Sequence, residues 1–424
     1  MKILHVSTTD RGGAANSTIR LHKALVNEGI SSALLTTYKS RSDIPYHFDY
    51  QGRRFFNKPE IPALTLKNYF KEKLTHDYGK ALLSYNLKIQ QRNELSTPKF
   101  ENGIYSFEKF SFADSNFDIT STQPYQEADV IHLHWVADFL DYGSFFETNK
   151  KPVIWTLHDE NPFMGAFHYE ADERRNHEQY KSIDDAIRKI KTESVRKQKK
   201  LYVCSPSDWL RERASKSEIF KSREFFRIRY GLDTRAYRLY DRAFSRNLLG
   251  LPQDKFICLF VSESLTNYRK GLDRLSPLFG SNEFADVYFA LAGKSKNAFT
   301  ETNISHLGNI SDERLMAAAY CAADVYLLTS REDNLPNTMI ESICCGTPVI
   351  AFAIGDNEAV IAETNSGMIV PEPSTDSLKI TLRNFINEKE RFNRDDIFKQ
   401  ATKSFENARQ AKEYIELYTK ILKE

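Results

Sequence analysis

Ser330-Arg331-Glu332-Asp333-Asn334-Leu335-Pro336-Asn337-Thr338-Met339-Ile340-Glu341, leading into Cys345-Gly346-Thr347-Pro348-Val349-Ile350-Ala351-Phe352, joins three pieces of local structure. The apolar run 325–329 before it reads as a strand. The segment from Asn337 reads as a helix capped by that asparagine, and 348–352 as the next strand. Strand, loop, helix, strand is the repeating unit of a parallel sheet. Asp333 and Glu341 therefore stand where a parallel strand ends, the place at which open α/β sheets bind ligands. A carboxylate accepts hydrogen bonds from paired hydroxyls, so two such groups suit a ribose and a sugar. The plainer alternative makes Asp333 a helix N-terminal charge and Glu341 part of a solvated face.

The same alternation extends in both directions. Around this stretch, strands are expected at 256–262, 287–292 and 305–307, with helices at 312–322, 338–344 and 375–387. Toward the N-terminus, strands are expected at 2–8, 31–36, 130–135, 153–157, 201–205 and 226–229, with a helix over 15–28. A chain of 424 residues is too long for one ordinary core. Two Rossmann-like domains follow, over 1–235 and 255–400, joined by a polar linker at 233–253. An amphipathic helix in 401–424, with Ala411, Ile415, Tyr418 and Leu422 on one face, is free to cross back to the first domain. Residues 39–127 break the alternation and read as an insertion, with a single helix at about 64–91.

Composition bounds the function. Lys and Arg number 59 against 57 Asp and Glu, so no global positive field recruits nucleic acid. The five cysteines lack metal or redox spacing and lie mostly in apolar runs, which suits reduced thiols and a cytoplasmic setting. Met1 to Ser7 is too short and strand-like for a signal peptide, and no run of about 18 apolar residues offers a membrane span.

Other constellations repeat the pattern of a strand end followed by a polar loop. Phe260-Val261-Ser262-Glu263-Ser264 precedes Asn267-Tyr268-Arg269-Lys270-Gly271, placing two cations before a glycine and a helix, as a diphosphate requires. Thr8-Thr9-Asp10-Arg11-Gly12-Gly13 ends the first strand, and it is not the G-x-G-x-x-G of a dinucleotide site. His158 follows Trp155-Thr156-Leu157, and Leu307-Gly308-Asn309 ends another strand. His132-Leu133-His134 invites a metal reading, but no acidic or Cys partner lies at ligand spacing, and no metal is expected. Two helical stretches are basic and aromatic. One carries Lys67, Tyr69, Phe70, Lys71, Lys73, Tyr78 and Lys80. The other carries Ile183, Ile187 and Ile190 with Arg188, Lys189, Lys191, Arg196, Lys197, Lys199 and Lys200. A solvated face is the ordinary reading of both, and contact with an anionic membrane is the functional one.

In this order and spacing the motifs resemble those of retaining GT-B glycosyltransferases of the group-1 (family 4) class, in a form similar to enzymes that build bacterial surface polysaccharides. Glu341 matches the second acid of that family's Glu-x7-Glu signature. Asp333 stands where the first Glu usually is, with Glu332 beside it. Lys270 matches the phosphate-binding Lys. The usual Arg is missing from its place, and Arg269 is the candidate substitute. Arg229-Tyr230-Gly231-Leu232-Asp233-Thr234 is similar to an Asn-Gly-Ile-Asp-Thr element, with Tyr in place of Asn.

The resemblance implies a hexosyl-transferring enzyme that takes a nucleotide diphosphate sugar as donor, without metal or other cofactor. Catalysis would fall to Asp333, His158 and Lys270. The donor would be bound by Glu341, Arg269, Lys270, Asn334, Leu335, Glu332 and Gly308, and the acceptor would meet Gly12, Gly13 and Asp10. The acceptor would be a glycan or lipid-linked glycan, met in the cytoplasm or at the inner face of the cell membrane. Two rivals stand beside this reading: a non-catalytic nucleotide-sugar-binding or assembly subunit, and a nicotinamide-dependent oxidoreductase.

Overall fold

A computed structural model describes residues 1–55, 90–101, 104–295 and 298–424. The expected helix at 64–91, with Lys67, Tyr69, Phe70, Lys71, Lys73, Tyr78 and Lys80, lies almost entirely outside the described residues.

Two parallel sheets organise the chain. The first has seven strands: β1 (Lys2–Val6), β2 (Ser31–Thr36), β3 (His47–Asp49), β6 (Val130–Leu133), β7 (Val153–Thr156), β8 (Leu201–Ser205) and β9 (Glu224–Arg227). The two short strands between, β4 (Phe100–Glu101) and β5 (Ile104–Tyr105), form a separate antiparallel pair. The order β3-β2-β1-β6-β7-β8-β9 reverses between β1 and β6. The second sheet has six strands: β10 (Phe256–Ser264), β11 (Val287–Lys294), β12 (Ile304–Gly308), β13 (Val325–Leu328), β14 (Val349–Phe352) and β15 (Gly367–Val370). Its order, β12-β11-β10-β13-β14-β15, reverses between β10 and β13. Those two strands pair only at Cys258 with Val325 and Leu259 with Tyr326. Past that point they part, which opens a crevice at their C-terminal ends, where this architecture seats ligands.

The central strands of each sheet are buried on both faces and are largely apolar, while the edge strands β3, β9, β12 and β15 are partly exposed. That is why their positions were legible. Four features differ from expectation. β3 and the Gln123–Glu127 helix lie inside the supposed insertion, and Phe107, Phe110, Ile119 and Tyr125 of the same stretch join the first core. Much of 39–127 is thus framework, read as an insertion because its aromatics follow no period. β15 and the Asn357–Thr364 helix were not expected, the strand being short and begun by a glycine. The polar stretch 233–253 carries a helix, Arg242–Leu248, and Tyr237 and Leu251 lie in the second core. Its Arg246 is buried, donating to Asp324 at 2.8 Å.

The fourth difference concerns the last helix, Asn407–Lys423. The Arg394–Phe405 helix before it packs into the second core through Ile397, Ala401 and Phe405. The last helix instead packs on the first sheet, setting Tyr414, Leu417, Tyr418 and Ile421 against Ile3, Leu25, Val130 and Ile154. Of the four expected face residues, Ala411 and Tyr418 are buried, Ile415 is partly buried against the same core, and Leu422 is 41% exposed. The buried face is rotated because tyrosines, not only aliphatics, fill it. The Tyr418 hydroxyl is hydrogen-bonded to His132 Nδ1 at 2.7 Å, and that of Tyr414 to Thr156 Oγ1 at 2.7 Å.

Tyr418→Ala should cost about 3–5 kcal/mol, the range for deleting a large buried aromatic. Leu422→Ala should change stability by no more than about 0.5 kcal/mol. Urea unfolding of the two variants checks this, and equal losses would contradict the observed face.

Candidate active site

The crevice beyond β10 and β13 gathers charge from both halves of the chain. After β10 the chain makes a single 3-10 turn, Tyr268–Lys270, closed by Gly271 at φ 75°. A Cβ at Gly271 would stand 2.0 Å from the carbonyl oxygen of Thr329, at the end of β13. Only glycine allows that approach, and it brings Lys270 against the loop after β13. Lys270 Nζ donates to Asp333 Oδ2 at 2.5 Å, and Arg269 Nη1 lies 3.6 Å from the same oxygen. Gly355, at φ 53°, closes over the other side of that loop, where a Cβ would lie 2.1 Å from the Asn334 carbonyl oxygen.

Arg269 is held from several directions. Its Nε and Nη2 donate to Glu108 at 2.5 and 3.1 Å, its Nη1 donates to the Glu332 carbonyl at 2.9 Å, and its plane lies 4.2 Å from the centre of the Tyr169 ring. Glu108 and Tyr169 belong to the first half of the chain, so Arg269 bridges the two. Burial pushes the Asp333 carboxyl up, but Lys270 and Arg269 outweigh it and hold the group below its ordinary range. Burial likewise lowers the Lys270 ammonium, with Asp333 opposing and Arg269 adding to the shift.

Of the two adjacent acids, it is Asp333 that meets the cations. Glu332 turns away, and its Oε1 accepts from the Ala171 backbone N–H at 3.2 Å, at the start of the Glu170–Lys197 helix. Burial raises its pKa. Asn334 and Leu335 are buried beneath the loop, with Asn334 Oδ1 accepting from Ser207. Asn334 Nδ2 is buried without a protein partner among the described residues. Glu341 lies on the next helix, Asn337–Cys344, and is 7% exposed rather than solvated. Asn337 does not cap that helix, whose N-cap is Pro336. Its amide instead reaches the first domain, donating to the Gly13 carbonyl at 3.0 Å and to Ser17 Oγ at 2.8 Å.

Gly12 and Gly13 face this crevice from the first sheet. A Cβ at Gly12 would lie 3.6 Å from Glu263 Oε2, and one at Gly13 3.9 Å from Asn337 Nδ2. Asp10 does not offer its carboxylate to the cleft: one oxygen accepts from the backbone N–H groups of Ser40 and Arg41, at 2.7 and 2.9 Å, and the other from Ser40 Oγ at 2.6 Å. It is a buried turn clamp. Gly308 ends β12 at φ 72°, a left-handed conformation that favours glycine, with nothing within 4 Å of an added Cβ.

His158 lies beside the crevice with both ring nitrogens engaged. Its Nδ1 is bonded to the Tyr230 hydroxyl at 2.8 Å and its Nε2 to His134 Nδ1 at 3.1 Å. His134 Nε2 is in turn bonded to His5 Nδ1 at 2.9 Å. His5, on the neighbouring strand, supplies the third group that the sequence spacing did not reveal: ring nitrogens of His5, His132 and His134 lie within 4.8 Å of one another, a grouping able to hold a metal ion. His5 Nδ1 bonds to His134 Nε2 and the two His132 nitrogens to Tyr418 and Thr156, while His5 Nε2 is buried without a partner among the described residues. Burial lowers the pKa of His5, His132 and His134 well below the ordinary imidazole value, and that of His158 to about 4.

The basic helix is less basic than its sequence. Lys191 is buried, donating to the Asn161 and Gly165 carbonyls at 2.7 and 2.6 Å, and burial lowers its pKa to about 7. Arg188 pairs with Glu173 and Asp184, Arg196 with Glu218, and Lys197 with Glu147. Ile187 is buried and Ile183 packs on the first core, while Ile190 is 43% exposed.

Four participants escaped sequence analysis: Arg20, Glu108, Tyr169 and Tyr320. Arg20 had a signal, because a charge in the run Thr18-Ile19-Arg20-Leu21 occupies an apolar helix face and demands a buried partner. The others are ordinary in their local context.

Residues 241–405 match the family described as Glycosyl transferases group 1. Over 157 residues the chain is 27% identical to the D-inositol 3-phosphate glycosyltransferase of Mycobacteroides abscessus, covering 34% of this chain and 35% of that protein. The enzyme of the same name from Mycolicibacterium gilvum is 28% identical over 166 residues, covering 36% and 37%. The match thus spans about a third of the length of these curated relatives. Across nearly the whole chain the fold is that of GT-B glycosyltransferase structures. The sucrose-phosphate synthase of Thermosynechococcus elongatus superimposes with a TM-score of 0.64 at 16% identity, covering 99% of this chain and 98% of that one. Anabaena Alr3699/HepE in complex with UDP and glucose gives 0.61 at 16%, covering 99% of each chain.

The histidine chain makes stability sensitive to acid. Folding keeps these four imidazoles neutral where the unfolded chain protonates them, below a pH of about 6.5. Stability should therefore be full above that value and drain as the pH falls toward 4. Between pH 6.5 and 5 the loss should be on the order of 2 kcal/mol for each imidazole that stays neutral. Urea midpoints at pH 7.5, 6 and 5 test it, and a flat midpoint across that window would contradict it.

Proposed function

We propose, from the premise that residues 241–405 form a group 1 glycosyl transferase domain, that this chain transfers a sugar from a nucleotide diphosphate donor to an acceptor hydroxyl. One observation carries the reading: Lys270 and Arg269 converge on Asp333 at the mouth of the crevice between β10 and β13. Those are the groups a nucleotide sugar needs within one small volume. The diphosphate competes with Asp333 for the two cations, and the Asp333 carboxylate is left for the sugar hydroxyls. Glu341, one helix away, takes the ribose.

In the transfer, the bond from the anomeric carbon to the phosphate oxygen breaks and a bond to the acceptor oxygen forms. The acceptor proton leaves with the departing phosphate. Negative charge grows on that phosphate as the sugar bond breaks, so Lys270 and Arg269 stabilise the transition state more than the ground state. His158 serves by position, since both of its ring nitrogens are engaged and neither is free to act as a base. Gly12 and Gly13 leave room there for the acceptor.

The finer reading is a retaining hexosyltransferase of bacterial polysaccharide synthesis acting on a glycan or lipid-linked glycan, and its support is the resemblance of the Glu332–Glu341 motif. UDP in a structural neighbour favours a uridine nucleotide as the first donor to try. Acidic partners offset much of the charge on the Glu170–Lys197 helix, which reduces its attraction to an anionic membrane.

A thermal-shift panel of nucleotide diphosphate sugars tests the donor class. A ligand at a hundred times its Kd should stabilise the fold by about 2.7 kcal/mol. Lys270→Met should bind the active donor more weakly and lower kcat at least tenfold in transfer to an added glycan acceptor. A panel in which no nucleotide sugar shifts the melt, or a fully active Lys270→Met, would remove the reading.

A further inference from the structure

Arg20 belongs to the Gly13–Asn27 helix of the first half of the chain, yet its side chain ends among groups of the second. Its Nη2 donates to Glu341 Oε1 at 2.8 Å, to Glu313 Oε1 at 3.0 Å and to the Tyr237 hydroxyl at 3.0 Å. Its Nε donates to Glu313 Oε1 at 3.1 Å. Arg20 and Glu341 are each 7% exposed. Taking both charges out of water is costly, and only a well-formed set of hydrogen bonds offsets it. The other carboxylate oxygen, Glu341 Oε2, accepts from the Tyr320 hydroxyl at 3.0 Å.

A carboxylate offers about four acceptor positions, two on each oxygen. Arg20 takes one on Oε1 and Tyr320 one on Oε2. One position remains on each oxygen, and two acceptors on one carboxylate are what a vicinal diol requires. The geometry also links this carboxylate to the contact between the halves. One turn before Glu341, Asn337 donates to Gly13 and Ser17, which lie on the same helix as Arg20.

We propose that Arg20 is a positioning residue for nucleotide recognition. Acting through Glu341 from the opposite domain, it holds that carboxylate in the orientation that accepts the two ribose hydroxyls of the donor. Ribose recognition is therefore complete only when the two domains meet. The proposal rests on the donor reading above and adds to it a requirement from the first domain. It also explains a guanidinium at this position: Nε and Nη2 share Glu313 while Nη2 reaches Glu341, a fork that a lysine ammonium cannot reproduce.

The experiment is calorimetric titration of the intact chain with UDP, ADP and GDP and with the 2′,3′-dideoxy form of each. The proteins are wild type, Arg20→Met, Arg20→Lys and Tyr320→Phe, and the ribonucleotide that wild type binds most tightly is the probe. Wild type should prefer that ribonucleotide to its dideoxy form at least tenfold. The preference should fall at least fivefold in Arg20→Met, recover in part in Arg20→Lys, and fall less in Tyr320→Phe. Affinity for the dideoxy form should stay within twofold of wild type throughout. A general structural role would weaken both forms together. Such parallel weakening, or an unchanged preference in Arg20→Met, overturns the proposal and leaves the donor reading standing. If wild type binds none of the three nucleotides, the donor reading falls and takes the proposal with it. If Arg20→Met does not fold, Tyr320→Phe, which removes one hydroxyl, decides the matter, and an unchanged preference there is fatal to the proposal.

Discussion

A guanidinium and a carboxylate drawn from opposite halves of the chain, Arg20 and Glu341, are withdrawn from water together, and the arrangement of the cleft depends on that pairing. An isolated buried charge of either sign would be prohibitively costly. Glu313, Tyr237 and Tyr320 offset much of that cost, although Arg20 Nη1 is buried without a hydrogen-bond partner among the described residues. The pair thus sets the register of one helix on the other. Gly13 and Ser17 are brought to Asn337, and the first-domain loop to the end of β10. Further contacts follow the same rule of capping across the cleft. Glu332 accepts from Ala171, and Asp356 accepts from the backbone N–H groups of Asp208 and Trp209 at 3.0 Å each. Carboxylates of the second half meet helix N-termini of the first, where the helix dipole favours negative charge.

Within the crevice, opposing charges are concentrated and mutually neutralised. Lys270 and Arg269 share Asp333, and Arg269 also holds Glu108. In a partly dry site such contacts are stronger than in water, and every unpaired charge is correspondingly expensive.

The histidines show a different economy. His5, His134, His158 and Tyr230 form one continuous hydrogen-bonded row from the first sheet to the cleft, and burial keeps the imidazoles neutral. A neutral imidazole has one donor and one acceptor, so each ring in the row constrains the next. The row holds His158 in place, and its last member, Tyr230, stacks on His158 with ring centres 5.6 Å apart. Tyr230 replaces the Asn of the related motif, and the structure gives it a specific partner.

The sequence by itself determined what short-range order can encode. Strands buried on both faces are unbroken apolar runs, so their positions, the two-domain plan and the loops after β10 and β13 were legible. Asp333 and Lys270 were legible for the same reason, since a strand end announces itself locally. Tertiary structure alone decided which groups those residues meet. Arg20 and Glu341 are 321 residues apart and Arg269 and Glu108 are 161 apart, and no periodicity links such positions. It decided that Asp10 clamps a turn, that Lys191 is buried, and that the last helix turns Tyr414 and Ile421 inward rather than Leu422. Each of these depends on which surface the rest of the fold presents. A polar side chain's role follows from the partner that satisfies it, and only the folded chain brings that partner within about 3 Å.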